Sequence, residues 1–251
     1  KYKMYLIGDI GNTEVKICLF NSKKKLKKKI TLKTNLITIN YLKKKLNFLN
    51  TNKKVVQKAL FCSVVPKCYK KIRNFIKYRF KIKSIELKSL NLSKFIKIKV
   101  NRNQVGSDRI SNAIGIVDNK FNYIVVDFGT ATTFDVIIKN NYLGGIIAPG
   151  INLSLKTLIK KASLIPPVNF TAVSNVLGKN TISAVRSGFY WGYIGLIKNI
   201  IKKITDQTKK KYKIIFTGGL SNFFKKSINS KVQIKNDLTI LGLLKVINLV
   251  K

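Results

Sequence analysis

With 251 residues and 45% hydrophobic content, the chain holds enough apolar sequence to bury one large core or two small ones, which excludes a disordered polypeptide. No apolar stretch approaches the ~20 residues that cross a bilayer, and the amino-terminal stretch lacks the basic flank, apolar centre and small-residue cleavage site of a signal peptide, so a cytoplasmic location without a membrane partner is expected. The formal net charge of +41 suggests a nucleic-acid partner, but only five of the 50 basic residues are arginine and the lysines are scattered; base readout favours clustered arginine, so no specific nucleic-acid partner is expected.

The chain opens with an apolar run, Met4-Tyr5-Leu6-Ile7, that leads into Gly8-Asp9-Ile10-Gly11-Asn12-Thr13 and resumes as Val15 to Phe20. This pattern predicts a strand, a tight polar loop and a returning strand. Ile30 to Leu32 reads as a third strand, with the cluster Lys23-Lys24-Lys25-Leu26-Lys27-Lys28-Lys29 as a solvated hairpin tip before it. Ile39, Leu42, Leu46 and Leu49 have the spacing of one helix over 38–49. Val55 to Val65 reads as a buried strand stopped by Pro66, and Lys67 to Phe80 as a basic amphipathic helix with Ile72, Phe75, Ile76 and Phe80 inward. A short strand is expected at Ile82 to Leu87. Gly106-Ser107-Asp108-Arg109 then opens a helix through Val117. Asp108 is either the cap of that helix beside an ion-pairing Arg109, or a base facing a cleft in which Arg109 grips an anionic substrate.

The stretch Tyr123 to Asp135 repeats the first hairpin: an apolar run, Asp127, one residue, Gly129, then Thr130, Thr132 and Thr133 before the β-branched return Val136-Ile137-Ile138. Gly129 lets the backbone turn its N–H groups outward, the threonines offer hydroxyls, and Asp127 can hold a cation beside phosphates. Either hairpin alone also reads as an ordinary polar turn. Their recurrence divides the chain into two similar halves, 1–115 and 116–251, able to clamp a nucleotide. Gly144 to Gly150 is a strand leading into a helix from Ile151 to Ala162, and Ser163 to Asn180 is a loop. Thr181 is expected to cap a long helix reaching about Thr205. Ile214-Ile215-Phe216-Thr217-Gly218-Gly219 is a strand and turn before a helix start at Ser221, either a seat for adenine and ribose or a plain turn. Leu238 to Val250 closes the chain as an apolar helix.

In so basic a chain the nine carboxylates are informative: Asp9, Glu14, Glu86, Asp108, Asp118, Asp127, Asp135, Asp206 and Asp237. With no histidine, a general base comes from these or from a lysine of lowered pKa. Cys18, Cys62 and Cys68 lack zinc-ligand spacing and read as buried or idle thiols in a reducing compartment.

Seven motifs stand in an order that resembles the type III pantothenate kinases of bacteria across nearly the whole chain: Asp9-Ile10-Gly11-Asn12-Thr13, Cys62-Ser63-Val64-Val65-Pro66, Gly106-Ser107-Asp108-Arg109, Asp127-Phe128-Gly129-Thr130-Ala131-Thr132-Thr133, Gly144 to Gly150, Gly178-Lys179-Asn180-Thr181 and Thr217-Gly218-Gly219. The resemblance implies an α/β fold of the actin-like, sugar-kinase-like ATPase superfamily: two ribonuclease-H-like halves with mixed sheets flanked by helices and the active site in the cleft between them, assembled as a homodimer. It implies ATP-dependent phosphorylation of pantothenate to 4'-phosphopantothenate, the first step of coenzyme A biosynthesis, with Mg2+ and a monovalent cation, K+ or NH4+. Carried over by position, Asp9, Ile10, Gly11, Asn12, Thr13, Glu14, Val15 and Lys16 form the ATP phosphate loop, with Asp9 near the magnesium and Thr130 a further ATP contact. Gly106, Ser107, Asp108 and Arg109 bind pantothenate, Asp108 as proton acceptor; Thr181 is a second substrate contact and Asp127 the potassium ligand. The stretch Lys99 to Val105 departs from the family's pattern, with Lys99 where a substrate contact is expected. Two other readings stand beside this one: a nucleic-acid-binding or regulatory protein retaining the kinase-like fold, and another small-molecule kinase of the superfamily.

Overall fold

The computed structural model describes residues 3–52, 55–228 and 231–250. The chain forms two compact units. The first comprises the chain up to Asn119 with Asn140–Gly144 and the segment from Asp237 onward; the second comprises Lys120–Lys139 and Gly145–Asn236.

In the first unit β1 (Met4–Ile10), β2 (Glu14–Asn21) and β3 (Leu26–Lys33) form an antiparallel meander. After α1 (Ile39–Lys45) and α2 (Leu49–Asn52), β4 (Val56–Ser63) returns parallel to β1. Then come α3 (Pro66–Phe80), β5 (Ser84–Glu86), β6 (Lys97–Ile98) and α4 (Ser107–Ile116). The sheet order is β3-β2-β1-β4-β5. β1 is apolar on both faces, as a covered central strand must be: Leu6 and Ile10 join Phe61, Ile72 and Ile76 in one core, while Ile7 is also fully buried.

The second unit repeats the scheme with β7 (Asn122–Phe128), β8 (Ala131–Ile138), β9 (Asn141–Pro149), α5 (Ile151–Lys161), α6 (Thr181–Thr208), β10 (Lys213–Gly218), α7 (Ser221–Ile228) and β11 (Gln233–Ile234). Here β7 and β8 are the antiparallel hairpin and β10 is the parallel partner of β7. The order β9-β8-β7-β10-β11 matches that of the first sheet strand for strand. β9 begins with Asn141 and Tyr142, which belong to the first unit and pair with β6. The core of the second unit is aromatic, with Phe128 stacked on Phe224 at 5.2 Å and edge-on to Phe216 at 5.0 Å.

α8 (Leu238–Val246) returns to the first unit, where it packs on α4, β1 and β4. Two glycines permit this contact. An added Cβ at Gly242 would lie 1.9 Å from the Ser111 carbonyl oxygen, and one at Gly115 2.8 Å from a Leu238 methyl. Around that close approach the Ser111 hydroxyl donates to the Thr239 carbonyl at 2.7 Å and the Thr239 hydroxyl to the Asn112 amide oxygen at 2.9 Å. Lys245 donates to the Ile114 and Val117 carbonyls at 3.1 and 2.7 Å, closing the carboxyl end of α4, and burial lowers its pKa.

Several local expectations change. The lysine cluster is a tip only as far as Lys25; Lys27, Lys28 and Lys29 lie within β3, an edge strand whose exposed lysines discourage pairing with another chain. The helix expected over 38–49 ends at Lys45 and resumes at Leu49, with Leu46 and Leu49 both fully buried. The cap of α6 is Asn180, which accepts from the Ser183 N–H at 2.9 Å in a reciprocal capping box, so Thr181 is the first helical residue. The closing helix stops at Val246 and tightens into a 3-10 turn, Ile247–Leu249.

Gly242→Ala is expected to force α4 and α8 apart and to cost about 1–3 kcal/mol, since the obstacle is backbone. Urea denaturation reads this directly, and an unchanged midpoint would show that the two helices tolerate separation.

Candidate active site

In the first unit three segments meet at the carboxyl ends of β1 and β4 and the amino end of α4, where ligands bind in open α/β sheets. Asp9 lies opposite Lys16 on β2 and Cys62 on β4. Beyond it the Gly11 N–H donates to the Glu14 carbonyl at 2.9 Å, closing a short loop whose tip, Asn12, Thr13 and Glu14, is exposed. Thr34 clamps the loop from the far side: its hydroxyl donates to the Gly11 carbonyl at 2.8 Å and its N–H to the Thr13 carbonyl at 3.0 Å. Ile10 and Val15 are fully buried, so their side chains pack the core and only their backbone faces this loop's chemistry. Lys16 lies 3.4 Å from Asp237, which Lys29 also reaches at 2.5 Å. Partial burial opposes ionisation of Asp237, but the hydrogen bond from Lys29 and the charges of both lysines outweigh it and hold its pKa below the usual carboxylate value.

The second segment joins β4 to α3. The Val64 N–H donates to the Ile10 carbonyl at 3.0 Å, fixing this loop beside the first. Cys62, fully buried, donates its thiol to the Asp9 carboxylate at 3.4 Å. Burial, then the charges of Asp9 and Asp108, push its pKa well above the ordinary thiol value. It is therefore a protonated donor to Asp9 and not an idle thiol.

The third segment is the start of α4. Ser107 is buried, and its hydroxyl both accepts from the Ser63 N–H at 2.8 Å and donates to the Ser63 carbonyl at 3.1 Å. The cap position is Gly106, so the capping reading of Asp108 does not hold; Asp108 is the second helical residue, and its carboxylate accepts the Arg109 N–H at 2.8 Å. An added Cβ at Gly106 would lie 2.4 Å from a carboxylate oxygen of Asp108, so glycine is what lets that side chain fold back over the helix start. Burial raises the pKa of Asp108, against lowering by the Arg109 N–H and the Arg109 charge. The segment leading into this motif is braced: Arg102 donates to the Lys88 and Leu90 carbonyls at 2.8 and 2.7 Å, and Lys88 to the Asn103 and Val105 carbonyls at 2.9 and 3.1 Å. The Lys99 N–H pairs with the Tyr142 carbonyl at 2.9 Å.

In the second unit Asp127 stands near the end of β7, paired with Thr133 on β8 and Thr217 on β10. Gly218 has φ +85, and an added Cβ there would lie 2.6 Å from an Asp127 carboxylate oxygen, so this carboxylate rests directly over glycine backbone. The Ser221 hydroxyl donates to the Gly218 carbonyl at 2.8 Å and the Gly219 N–H to the Phe128 carbonyl at 3.1 Å, pinning the turn. Thr130 is exposed at the hairpin tip and Thr133 half-buried. Thr132 faces inward with Phe134 on the alternate face of β8, so its hydroxyl is not offered to a ligand. Thr181 is exposed at the first turn of α6. Within the first unit the structure thus gathers Asp9, the 10–14 loop and Gly106 to Arg109; within the second it sets Asp127 and Thr130 on one hairpin.

Sequence reasoning missed Thr34, the role of Cys62, the Ser63–Ser107 pair and the Lys88–Arg102 brace. Each depends on long-range pairing for which the sequence carries no local signal.

Residues 5–203 match the family model of the type III pantothenate kinases. The chain is 56% identical over 248 residues to the type III pantothenate kinase of Pelagibacter ubique, covering 99% of this chain and 100% of that one. It is 36% identical over 256 residues to the type III pantothenate kinase of a Sulfurihydrogenibium species, covering 96% and 98%. Among solved structures, one described as a Baf family transcriptional activator from Campylobacter jejuni superposes with a TM-score of 0.61 at 24% identity, covering 97% of each chain. One described as a 2-dehydro-3-deoxygalactonokinase from Sinorhizobium meliloti does so at 0.59 and 11%, covering 96% and 98%. At such identities these structures bear on the fold alone.

Ser107→Ala is expected to lower stability by about 1–3 kcal/mol, because it strips the partner from the Ser63 N–H. Chemical denaturation checks it; a loss below about 0.3 kcal/mol would mean that the Ser63–Ser107 pair does not hold α4 to β4.

Proposed function

Because the chain belongs to the type III pantothenate kinase family, we propose an assignment of its residues to the steps of that reaction. The protein phosphorylates pantothenate with ATP, the first reaction of coenzyme A biosynthesis, and the comparisons favour this over the nucleic-acid-binding or regulatory alternative. The observation that carries the assignment is Asp108: a carboxylate with a burial-raised pKa, seated at the start of α4 between Gly106 and Arg109.

Phosphoryl transfer asks mainly for positioning and charge neutralisation, so one placed base suffices. Asp108 accepts the proton of the pantothenate primary hydroxyl as that oxygen attacks the γ-phosphorus of ATP. A raised pKa makes it a stronger acceptor than an ordinary carboxylate. Arg109 and the backbone N–H groups at the start of α4 hold the pantothenate carboxylate, and Thr181 supplies a second substrate contact. Ser107 serves as an anchor, since its hydroxyl is already committed to Ser63. The loop from Asp9 to Lys16 receives the ATP phosphates on its exposed tip, and Thr130 adds a contact from the second hairpin. Asp9 fits Mg2+, which is held by one or two carboxylates together with substrate phosphates; the Cys62 thiol fixes the orientation of that carboxylate. Asp127, over the backbone of Gly218, fits a potassium or ammonium ion. Such ions, when bound, supply positive charge next to the phosphates.

A homodimer fits the outer face of α6, where Gly188, Gly192 and Gly195 have open space at their Cβ positions beside Trp191, which is 38% exposed. A cytoplasmic location fits the three free thiols, and no helix among the described residues is long and apolar enough to cross a membrane.

Asp108→Asn is expected to lower kcat by about 10²–10⁴-fold, the usual contribution of a general base. The folded state holds the Asp108 proton more tightly than the unfolded chain, so ionisation at neutral pH costs stability that the amide does not lose. The variant should therefore be at least as stable at pH 7, with ATP affinity kept; normal turnover would remove Asp108 as acceptor. In the native enzyme kcat/KM should fall on acidification with a midpoint above that of an ordinary carboxylate. ADP release should depend on pantothenate and run faster in potassium than in sodium, and Asp127→Asn should abolish the difference; equal rates in both salts would remove the cation role of Asp127. Gly192→Arg should give a monomer by light scattering with unchanged circular dichroism, and a persistent dimer would place the interface elsewhere.

A further inference from the structure

The outer side of α3 carries two adjoining cavities, both within the first unit and unused by the kinase chemistry. One, of about 710 Å3, opens between α1 and α3 and is walled mainly by Ile37, Ile39, Leu42 and Phe75, with Lys43, Lys71 and Arg79 also lining it. The other, of about 550 Å3, opens between α3 and the start of β5 and is walled by Arg73, Lys77, Lys81 and Lys83. Asn74 and Tyr78 line both, so an apolar chamber and a cationic chamber share one wall.

Three observations separate this place from a generally lysine-rich surface. Ser84 lines the cationic cavity, is only 7% exposed, and its hydroxyl has no hydrogen-bond partner among the described residues. A buried hydroxyl without a partner is costly, and an anionic oxygen in the cavity would satisfy it. The arginines are distributed unevenly as well. Arg102 and Arg186 donate to backbone carbonyls and Arg109 stands in the substrate motif, whereas Arg73 and Arg79 both lie on α3, one in each cavity, with the Arg73 guanidinium also 5.9 Å from the centre of the Tyr69 ring. In a chain that fills its basic positions with lysine, arginine marks the places where a planar fork is of use, and phosphate is the anion it fits. Finally, Ile39 and Tyr78 are 65% and 69% exposed, leaving the apolar chamber open beside the cationic one.

We propose that these cavities bind an amphipathic phosphate monoester, its phosphate held by Arg73, Lys81 and the Ser84 hydroxyl and its alkyl chain laid across Tyr78 against Ile39 and Phe75. The two volumes are those of small-molecule sites, and their linings match the two ends of such a ligand.

Calorimetric titration of the full chain with dodecyl phosphate, kept below its micellar concentration, tests this. One molecule should bind per chain, with inorganic phosphate and dodecanol each at least about tenfold weaker. Arg73→Gln, Ser84→Ala and Ile39→Glu should each weaken binding at least about fivefold, while Lys203→Gln, on the exposed side of α6, should leave it unchanged. Equal losses in Arg73→Gln and Lys203→Gln would overturn the proposal in favour of bulk charge. Binding to anionic phospholipid vesicles without binding of monomeric dodecyl phosphate would overturn it in favour of a membrane surface, and no binding of either probe would overturn it outright.

Discussion

The first unit depends on a backbone seam in which the Ser107 hydroxyl closes two hydrogen bonds on Ser63 while the next residue, Val64, donates to Ile10. Three segments far apart in sequence are thereby held at one edge of the sheet. Each contributes one functional group: the Asp9 carboxylate from β1, the Cys62 thiol from β4 and the Asp108 carboxylate from α4. The seam is closed by one buried hydroxyl and the backbone groups it meets, so it fixes these side chains with little dependence on what else fills the surface. α8 backs the arrangement from behind, where Gly242 and Gly115 let it lie against α4 at backbone distance and Lys245 closes the far end of that helix.

The charge composition then reads differently from its sum. A chain of +41 has few acids to spend, and several sit where one carboxylate answers more than one need. Asp237 pairs with Lys16 and Lys29 together, which links the second and third strands of the sheet to the entry of α8. Lysines act as structural donors in turn: Lys88 braces the approach to the substrate motif, and Lys245 satisfies helix-end carbonyls that a neutral residue would leave open. The exposed lysines of β3 protect an edge. The basic excess is thus partly scaffold and partly solvated surface.

Local chemistry in the sequence was enough to find both Asp-x-Gly hairpins, the strand before Pro66, the helix after Gly106 and the strand before Gly218, since each carries its own periodicity and its own terminating residue. The hairpins were legible twice, and the shared strand order of the two sheets is the structural counterpart of that repetition. What stayed hidden was anything decided by pairing across the sheet. Cys62 looked idle because nothing near it in sequence marks it as the neighbour of Asp9. Thr34 is one polar residue after a strand, and only the folded hairpin brings it under Gly11. The two-residue strands β6 and β11 are too short to show a period, and the return of α8 to the first unit follows from a fit of glycines to a helix more than a hundred residues earlier.

Gly106 and Gly218 carry a constraint that a turn argument alone does not capture. At Gly106 the space a Cβ would need is taken by a carboxylate oxygen of Asp108 at 2.4 Å, and at Gly218 by one of Asp127 at 2.6 Å. In each unit, then, a carboxylate assigned to the reaction is seated on glycine backbone. The missing Cβ lets the carboxylate lie over the backbone, and it keeps aliphatic bulk away from the oxygen assigned to a proton or a cation. Preorganised groups stabilise developing charge without reorganising during the reaction. The arrangement recurs in two sheets of the same order, and at Gly218 it coincides with a φ of +85 that by itself calls for glycine.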